Sequence, residues 1–106
     1  MDGINGPIVG TKPLAAMLVH QNTQSVSVTD DGALAAMRIA FENLKLVLEP
    51  AGAASLSVVM THRDQFKNKN VLIVSTGGNV DPAVFRRALD QDPWTHGASS
   101  RTAQAV

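Results

Sequence analysis

The chain has 106 residues, of which 44% are apolar, and its nine basic and nine acidic side chains give a formal net charge of zero at neutral pH. This length is enough for one hydrophobic core, and the scattered lysines and arginines exclude the basic surface that nucleic-acid binding requires. The absence of cysteine excludes disulfides and thiolate metal sites and favours the cytoplasm, and the short apolar runs predict no transmembrane helix.

The first part of the chain predicts two short strands with a helix between them. Residues 8–9, in a glycine-rich stretch, suit an edge strand. Thr11 followed by Lys and Pro13 suits the start of a helix, because a hydroxyl can cap it and proline fits its first turn; the helical spacing of apolar residues then ends near His20. Residues 25–28 alternate between serine and valine, which is typical of a half-exposed strand.

The middle of the chain predicts two consecutive helices. Thr29 is suited to cap the first, whose apolar residues recur at three- and four-residue spacing as far as Leu48. Glu49 interrupts this pattern, because a residue before proline is biased away from the helical conformation, and Pro50 suits the first turn of a new helix. The second helix is predicted to end near His62.

The last strong signals are a strand, a turn and a helix. Residues 71–74 are all apolar and mostly β-branched, which predicts a strand inside a sheet that is covered on both faces. A glycine-rich turn follows this strand. Asp81 then caps a helix that begins at Pro82 and ends before Pro93.

The order of these elements predicts the fold class. Strands that alternate with helices indicate an α/β domain with a small sheet of about three strands flanked by helices, here over residues 1–92. Residues 93–106 lack periodicity and predict a flexible tail.

The turn after the predicted strand is the first candidate site. Thr76, Gly77 and Gly78 lie where a strand leads into a helix, and ligands of open α/β sheets bind at this position. The glycines permit close backbone approach, and the threonine hydroxyl can donate or accept a hydrogen bond. The alternative is a tight turn that needs glycine for its geometry alone.

Glu49 is the second candidate, since the three histidines have no carboxylate at metal-ligand spacing and predict no metal site. A carboxylate between two helices, beside a small-residue stretch, can act as an acid, a base or a hydrogen-bond acceptor for a ligand. The alternative is that Glu49 only caps the helix that follows it.

Four segments share motifs with a known enzyme family. They are Asp2-Gly3-Ile4, residues 26–31, residues 45–54 with Glu-Pro-Ala-Gly-Ala, and residues 71–81 with Gly-Gly-Asn-Val-Asp. In this order they resemble the C-terminal third of the pyridoxal-phosphate-dependent threonine dehydratases and serine racemases. The resemblance implies a partial enzyme domain of fold type II and lyase chemistry on amino acids.

The resemblance also implies roles for individual residues. Thr76 stands where the family has a hydroxyl residue, usually serine, that hydrogen-bonds the pyridine nitrogen of the cofactor. Gly77 and Gly78 complete the cofactor-binding turn. Glu49 matches a glutamate that lines the active site near cofactor and substrate, and Asp2 matches an aspartate on the substrate side.

The matched part of the family does not include a whole active site. In these enzymes the Schiff-base lysine, the loop that binds the substrate carboxylate and the glycine-rich phosphate loop all lie upstream of it. We therefore expect a stand-alone fragment that has no dehydratase or racemase activity by itself and holds no stably bound cofactor.

Two other functions remain open. The turn and Glu49 can form a pocket for a small molecule or an anion, such as phosphate, pyridoxal phosphate or an amino acid. Alternatively, the apolar strand at residues 71–74 lacks the neighbours that the rest of the family fold supplies, and exposed apolar surface favours a homo-oligomer or a complementing chain. No nucleic-acid or membrane partner is expected.

Overall fold

The computed structural model describes most of the chain, namely residue 1 and residues 3–4, 6–20 and 22–92. Asp2, a predicted site residue, and the predicted tail over residues 93–106 lie outside these ranges.

The four helices predicted from the sequence are all present among the five α-helices of the described residues. The Oδ1 atom of Asp81 accepts hydrogen bonds from the N–H groups of Ala83, at 2.7 Å, and Val84, at 3.4 Å, so the predicted cap is confirmed. At the first helix, Gly10 rather than Thr11 takes the cap position. No helix of the described residues has the length and apolar character needed to cross a bilayer. The α-helices are α1 (Thr11–Val19), α2 (Asp30–Ile39), α3 (Ala54–Thr61), α4 (Arg63–Phe66) and α5 (Pro82–Asp90).

The second helix ends earlier than its apolar spacing predicts. α2 passes into a π-helical turn over Ala40–Leu44, and Lys45 then takes the left-handed conformation, with φ of 58°. The N–H of Leu46 donates to the carbonyl oxygen of Ala40 at 3.3 Å, which closes the helix end. Leu48 is therefore buried, but it belongs to a non-helical segment and not to the helix on which it was predicted.

The core lies where α2 packs between α3 and α5. Met37 is fully buried at its centre. The rings of Phe41 and Phe85 meet edge to face with centroids 5.3 Å apart, and Nη1 of Arg38 donates to the carbonyl oxygen of Gln91 at 2.6 Å, which fixes the end of α5 against α2. The buried apolar residues that contact one another are Leu34, Ala36, Met37, Ala40, Leu48, Ala53 and Ala88.

No strand forms among the described residues, so the predicted α/β domain with a sheet of about three strands is wrong. Residues 8–9, 25–28 and 71–74 have neither helical structure nor strand pairing. A strand requires a neighbouring backbone that pairs with its N–H and C=O groups. Within the described chain, no hydrogen bond between backbone groups involves residues 71–75, and only the Val74 carbonyl oxygen accepts one, from the Ser55 hydroxyl at 2.5 Å. Their β-propensity therefore does not produce a sheet.

Large apolar side chains remain exposed at several places, among them α1 and the segment at residues 71–74. α1 contains no buried residue and packs against no other helix of the described chain. Leu72 is 91% exposed and Val74 is 64% exposed, although the sequence predicts a strand covered on both faces.

Candidate functional site

The two predicted site segments lie against each other. The N–H of Glu49 donates to the carbonyl oxygen of Gly77 at 2.9 Å, and the N–H of Thr76 donates to the carbonyl oxygen of Gly52 at 3.4 Å. These two hydrogen bonds hold the segment around Glu49 beside the turn at residues 76–78. The fold thus brings together residues that are far apart in the sequence.

Glycine is required at each point of closest approach. A Cβ atom built on Gly52 would lie 1.4 Å from the carbonyl oxygen of Thr76, and one on Gly77 would lie 2.3 Å from Oε1 of Glu49. Gly77 also has a φ of 70°, which side chains rarely adopt. A Cβ atom on Gly78 would lie 2.9 Å from the carbonyl oxygen of Val47. Any side chain at these positions would therefore collide with the facing segment. The glycines allow the two segments, and with them Thr76 and Glu49, to lie close together.

Glu49 does not cap α3. The cap position of α3 is Ala53, which forms no side-chain cap, and the N–H of Ala53 donates to the main-chain oxygen of Glu49 at 3.1 Å. The Glu49 carboxylate is half-buried and has no hydrogen-bond or ion-pair partner among the described residues. The capping alternative is therefore wrong, and no other described residue occupies the carboxylate.

The hydroxyl of Thr76 is also available. Thr76, Gly77 and Gly78 are all exposed, and the Thr76 hydroxyl forms no hydrogen bond within the described part of the chain. An exposed hydroxyl next to two residues without side chains can meet the edge of a flat ligand.

A cavity of about 340 Å³ lies beside Glu49, between the N-terminal ends of α2 and α5. Leu34, Val80 and Val84 form apolar parts of its lining, and Arg87 of α5 supplies a guanidinium. Arg87 was not predicted as a site residue. Its only sequence signal is that it lies three residues after Val84 on the same helix face.

The remaining predictions for the site concern Asp2 and metal binding. The structure does not describe Asp2, although its neighbours Met1 and Gly3 line the cavity. In the described ranges, no three histidine, aspartate or glutamate side chains are grouped as metal ligands. Gly52 was not singled out as a site residue, although it lies in the quoted Glu-Pro-Ala-Gly-Ala motif.

Comparisons with known proteins support the resemblance that the motifs indicated. A β-hydroxyaspartate dehydratase of Paracoccus denitrificans is 30% identical over 91 residues, which are 85% of this chain and 27% of that protein. A biosynthetic L-threonine dehydratase of Lactococcus lactis is 31% identical over 81 residues, with 76% of this chain and 19% of that protein covered. A serine racemase of Dictyostelium discoideum is 29% identical over 91 residues, with 81% and 28% covered.

The comparisons also limit how far the similarity extends. No protein-family model and no solved structure matches the chain. The chain spans roughly a fifth to a quarter of the length of these curated relatives, between 19% and 28%. The predicted resemblance is nevertheless confirmed: this chain is a sequence relative of the threonine and hydroxyaspartate dehydratases and the serine racemases, and it corresponds to a fragment of them.

Proposed function

We propose that this chain forms one wall of a pyridoxal-phosphate site in an amino-acid dehydratase or racemase. The observation that carries the proposal is the contact between Glu49 and Gly77, which unites the two motifs of the family resemblance in one site. The relatives are named as dehydratases and racemases of amino acids, which supports the same substrate class here.

The residues at the turn fit an aromatic cofactor ring. Thr76 offers an exposed hydroxyl without a partner among the described residues. Gly77 and Gly78 are exposed beside it and have no side chains, so a ring can approach their backbone from the solvent side. When bound, pyridoxal phosphate withdraws electrons from the substrate carbon that reacts.

Each side chain then has a distinct task. With the cofactor bound, the Thr76 hydroxyl would donate a hydrogen bond to the ring nitrogen, and because a threonine hydroxyl does not give up its proton, it would leave that nitrogen unprotonated. Thr76 differs by one methyl group from the serine that is usual at this position in the family. The Glu49 carboxylate packs against Gly77 and would accept hydrogen bonds from donors of the ligand.

The chain by itself binds weakly and does not catalyse. The family's Schiff-base lysine and phosphate loop are not in the matched part, so a lysine-bearing segment has to supply covalent attachment and anchoring of the phosphate. Pyridoxal phosphate added to the purified chain should give no visible absorbance band of a lysine-bound cofactor. L-serine and L-threonine should release no ammonia.

The Thr76→Val variant tests the role of the hydroxyl. Calorimetric titration should show pyridoxal phosphate affinity reduced by about fivefold to tenfold, because one neutral hydrogen bond is lost. Thr76→Ser should keep the affinity, and Ser75→Ala, which removes the neighbouring exposed hydroxyl, should leave it unchanged. Equal affinity of Thr76→Val and the unmodified chain, or lysine-dependent turnover by the chain alone, would contradict the proposal.

We further propose that the chain works as part of an assembly, as a homo-oligomer or with a complementing chain. The support is the exposure of Leu72 and Val74 in a segment with no backbone pairing of its own. Apolar residues with unpaired backbone groups favour association.

A further inference from the structure

We propose that Ser55 is a positioning residue of the site, which fixes the place of the Thr76 hydroxyl through a hydrogen bond to Val74. The inference rests on the proposed function only for the task given to Thr76. The anchoring itself follows from hydrogen bonds and exposure, and it can be measured without a ligand.

Three hydrogen bonds join the start of α3 and the residues before it to the turn and the segment that leads into it. Two of them are the backbone bonds of Glu49 and Gly52 described above. The third uses a side chain, because the Ser55 hydroxyl donates to the carbonyl oxygen of Val74 at 2.5 Å. The three bonds leave one segment at intervals of three residues, so the contact continues past the turn as far as Val74.

The bond from Ser55 is the one anchor of its kind in the segment before the turn. Among the described residues, no other hydrogen bond reaches residues 71–75. Packing restrains this segment little, because the side chains of Leu72 and Val74 are largely exposed. A segment with few packed side chains and few hydrogen bonds opens easily. Loss of this single bond should therefore loosen it.

The restraint reaches Thr76 because Thr76 follows Val74 by only two residues. The N–H of Thr76 donates to the carbonyl oxygen of Gly52 at 3.4 Å, which is long for a hydrogen bond and holds the turn weakly. With Ser55 bonded to Val74, the backbone is held on both sides of residue 75. A hydroxyl that has to meet one atom of a rigid ligand needs such support from neighbouring groups.

α3 itself does not need a serine at this position. Ser55 lies in the first turn of α3, whose cap position is Ala53 and which has no side-chain cap. Alanine has a higher helix propensity than serine. Ser55→Ala should therefore leave α3 intact and remove only the bond to Val74.

Amide hydrogen exchange of the ligand-free chain tests the anchoring. In Ser55→Ala, the N–H groups of Glu49 and Thr76 should exchange at least about threefold faster, because the two segments separate more often. The N–H of Ala40, which is bonded at the end of α2, should keep its rate. Ser55→Thr retains the hydroxyl and should retain the exchange rates of the unmodified chain.

Calorimetric titration with pyridoxal phosphate tests whether the restraint acts through Thr76. Ser55→Ala should weaken the affinity by about threefold. In the Thr76→Val background it should cause no further loss, because the hydroxyl that it positions is gone. Thr61→Val is the matched control, since it removes a hydroxyl at the other end of α3 that has no hydrogen bond among the described residues. It should change neither the affinity nor the exchange rates.

Three results would overturn the inference: unchanged exchange at Thr76 in Ser55→Ala, equal effects of Thr61→Val and Ser55→Ala, or a loss of affinity that persists in full in the Thr76→Val background. If the unmodified chain does not bind pyridoxal phosphate, the proposed function fails, whereas faster exchange in Ser55→Ala still supports the anchoring. Failure of one proposal is therefore distinguishable from failure of the other.

Discussion

The packing of Gly77 against Glu49 decides the geometry of the site at the residue scale. Gly77 combines a φ of 70° with a neighbour so close that a Cβ atom would overlap the Glu49 carboxylate. These two constraints have separate physical causes. One belongs to the backbone of Gly77, and the other belongs to the side chain of Glu49.

A double-mutant cycle separates the two causes. Gly77→Ala should lower the free energy of unfolding by about 2 to 3 kcal/mol, the sum of a left-handed backbone penalty and overpacking. In the Glu49→Ala background the same change should cost only about 1 kcal/mol, because the overlap is gone. Urea denaturation measures both values, and an equal cost in the two backgrounds would show that the contact is absent. Gly6→Ala, with nothing within 4 Å of the added atom, is the control.

At the element scale, the helices follow local signals and the predicted strands do not form. Asp81 and Thr29 cap helices where the sequence predicts them, since capping depends on residues a few positions away. Residues 71–74 have the composition of a buried strand, but pairing depends on a neighbour that the described chain does not provide. The end of α2 was also mispredicted, because the left-handed turn at Lys45 interrupts an apolar spacing that continues to Leu48.

The cap of α2 gives a prediction at this scale. Oγ1 of Thr29 accepts a hydrogen bond from the N–H of Gly32 at 3.1 Å, so Thr29→Ala should lower the free energy of unfolding by about 1 kcal/mol. Thr29→Ser should keep most of the stability, and Thr23→Ala, outside any helix, should change little. Thermal denaturation followed by circular dichroism measures these differences. A Thr29→Ala protein as stable as the unmodified chain would mean that the cap does not contribute.

At the scale of the whole molecule, the core is small and much apolar surface lies outside it. The buried cluster is formed by residues of α2, the π-helical turn and α5 with Leu48 and Ala53, while α1 contributes no buried residue. Exposed apolar residues occur on α1 and in the segment at residues 71–74. A surface of this kind favours contact with another chain.

Association is therefore the prediction at this scale. Light scattering should show a mass above that of the monomer, increasing with protein concentration. Leu72→Lys should shift the distribution toward the monomer without loss of thermal stability, because a side chain that is 91% exposed contributes little to the core. Lys67→Glu, a charge change in the nearby exposed loop, is the control. A stable monomer at every concentration would contradict the prediction.

The sequence by itself determined the four main helices, two of their caps and the family resemblance. It also identified Glu49 and the turn at Thr76 as candidates. Motifs and caps can be recognised in a sequence because they depend on residues that lie close together along the chain. Only the tertiary structure decided that these two segments touch, that Gly52 is needed for their contact, and that Arg87 shares a cavity with Glu49. The tertiary structure also showed that the predicted strands do not pair into a sheet. Strand pairing and the lining of a cavity both depend on backbones and side chains that meet only when the chain folds.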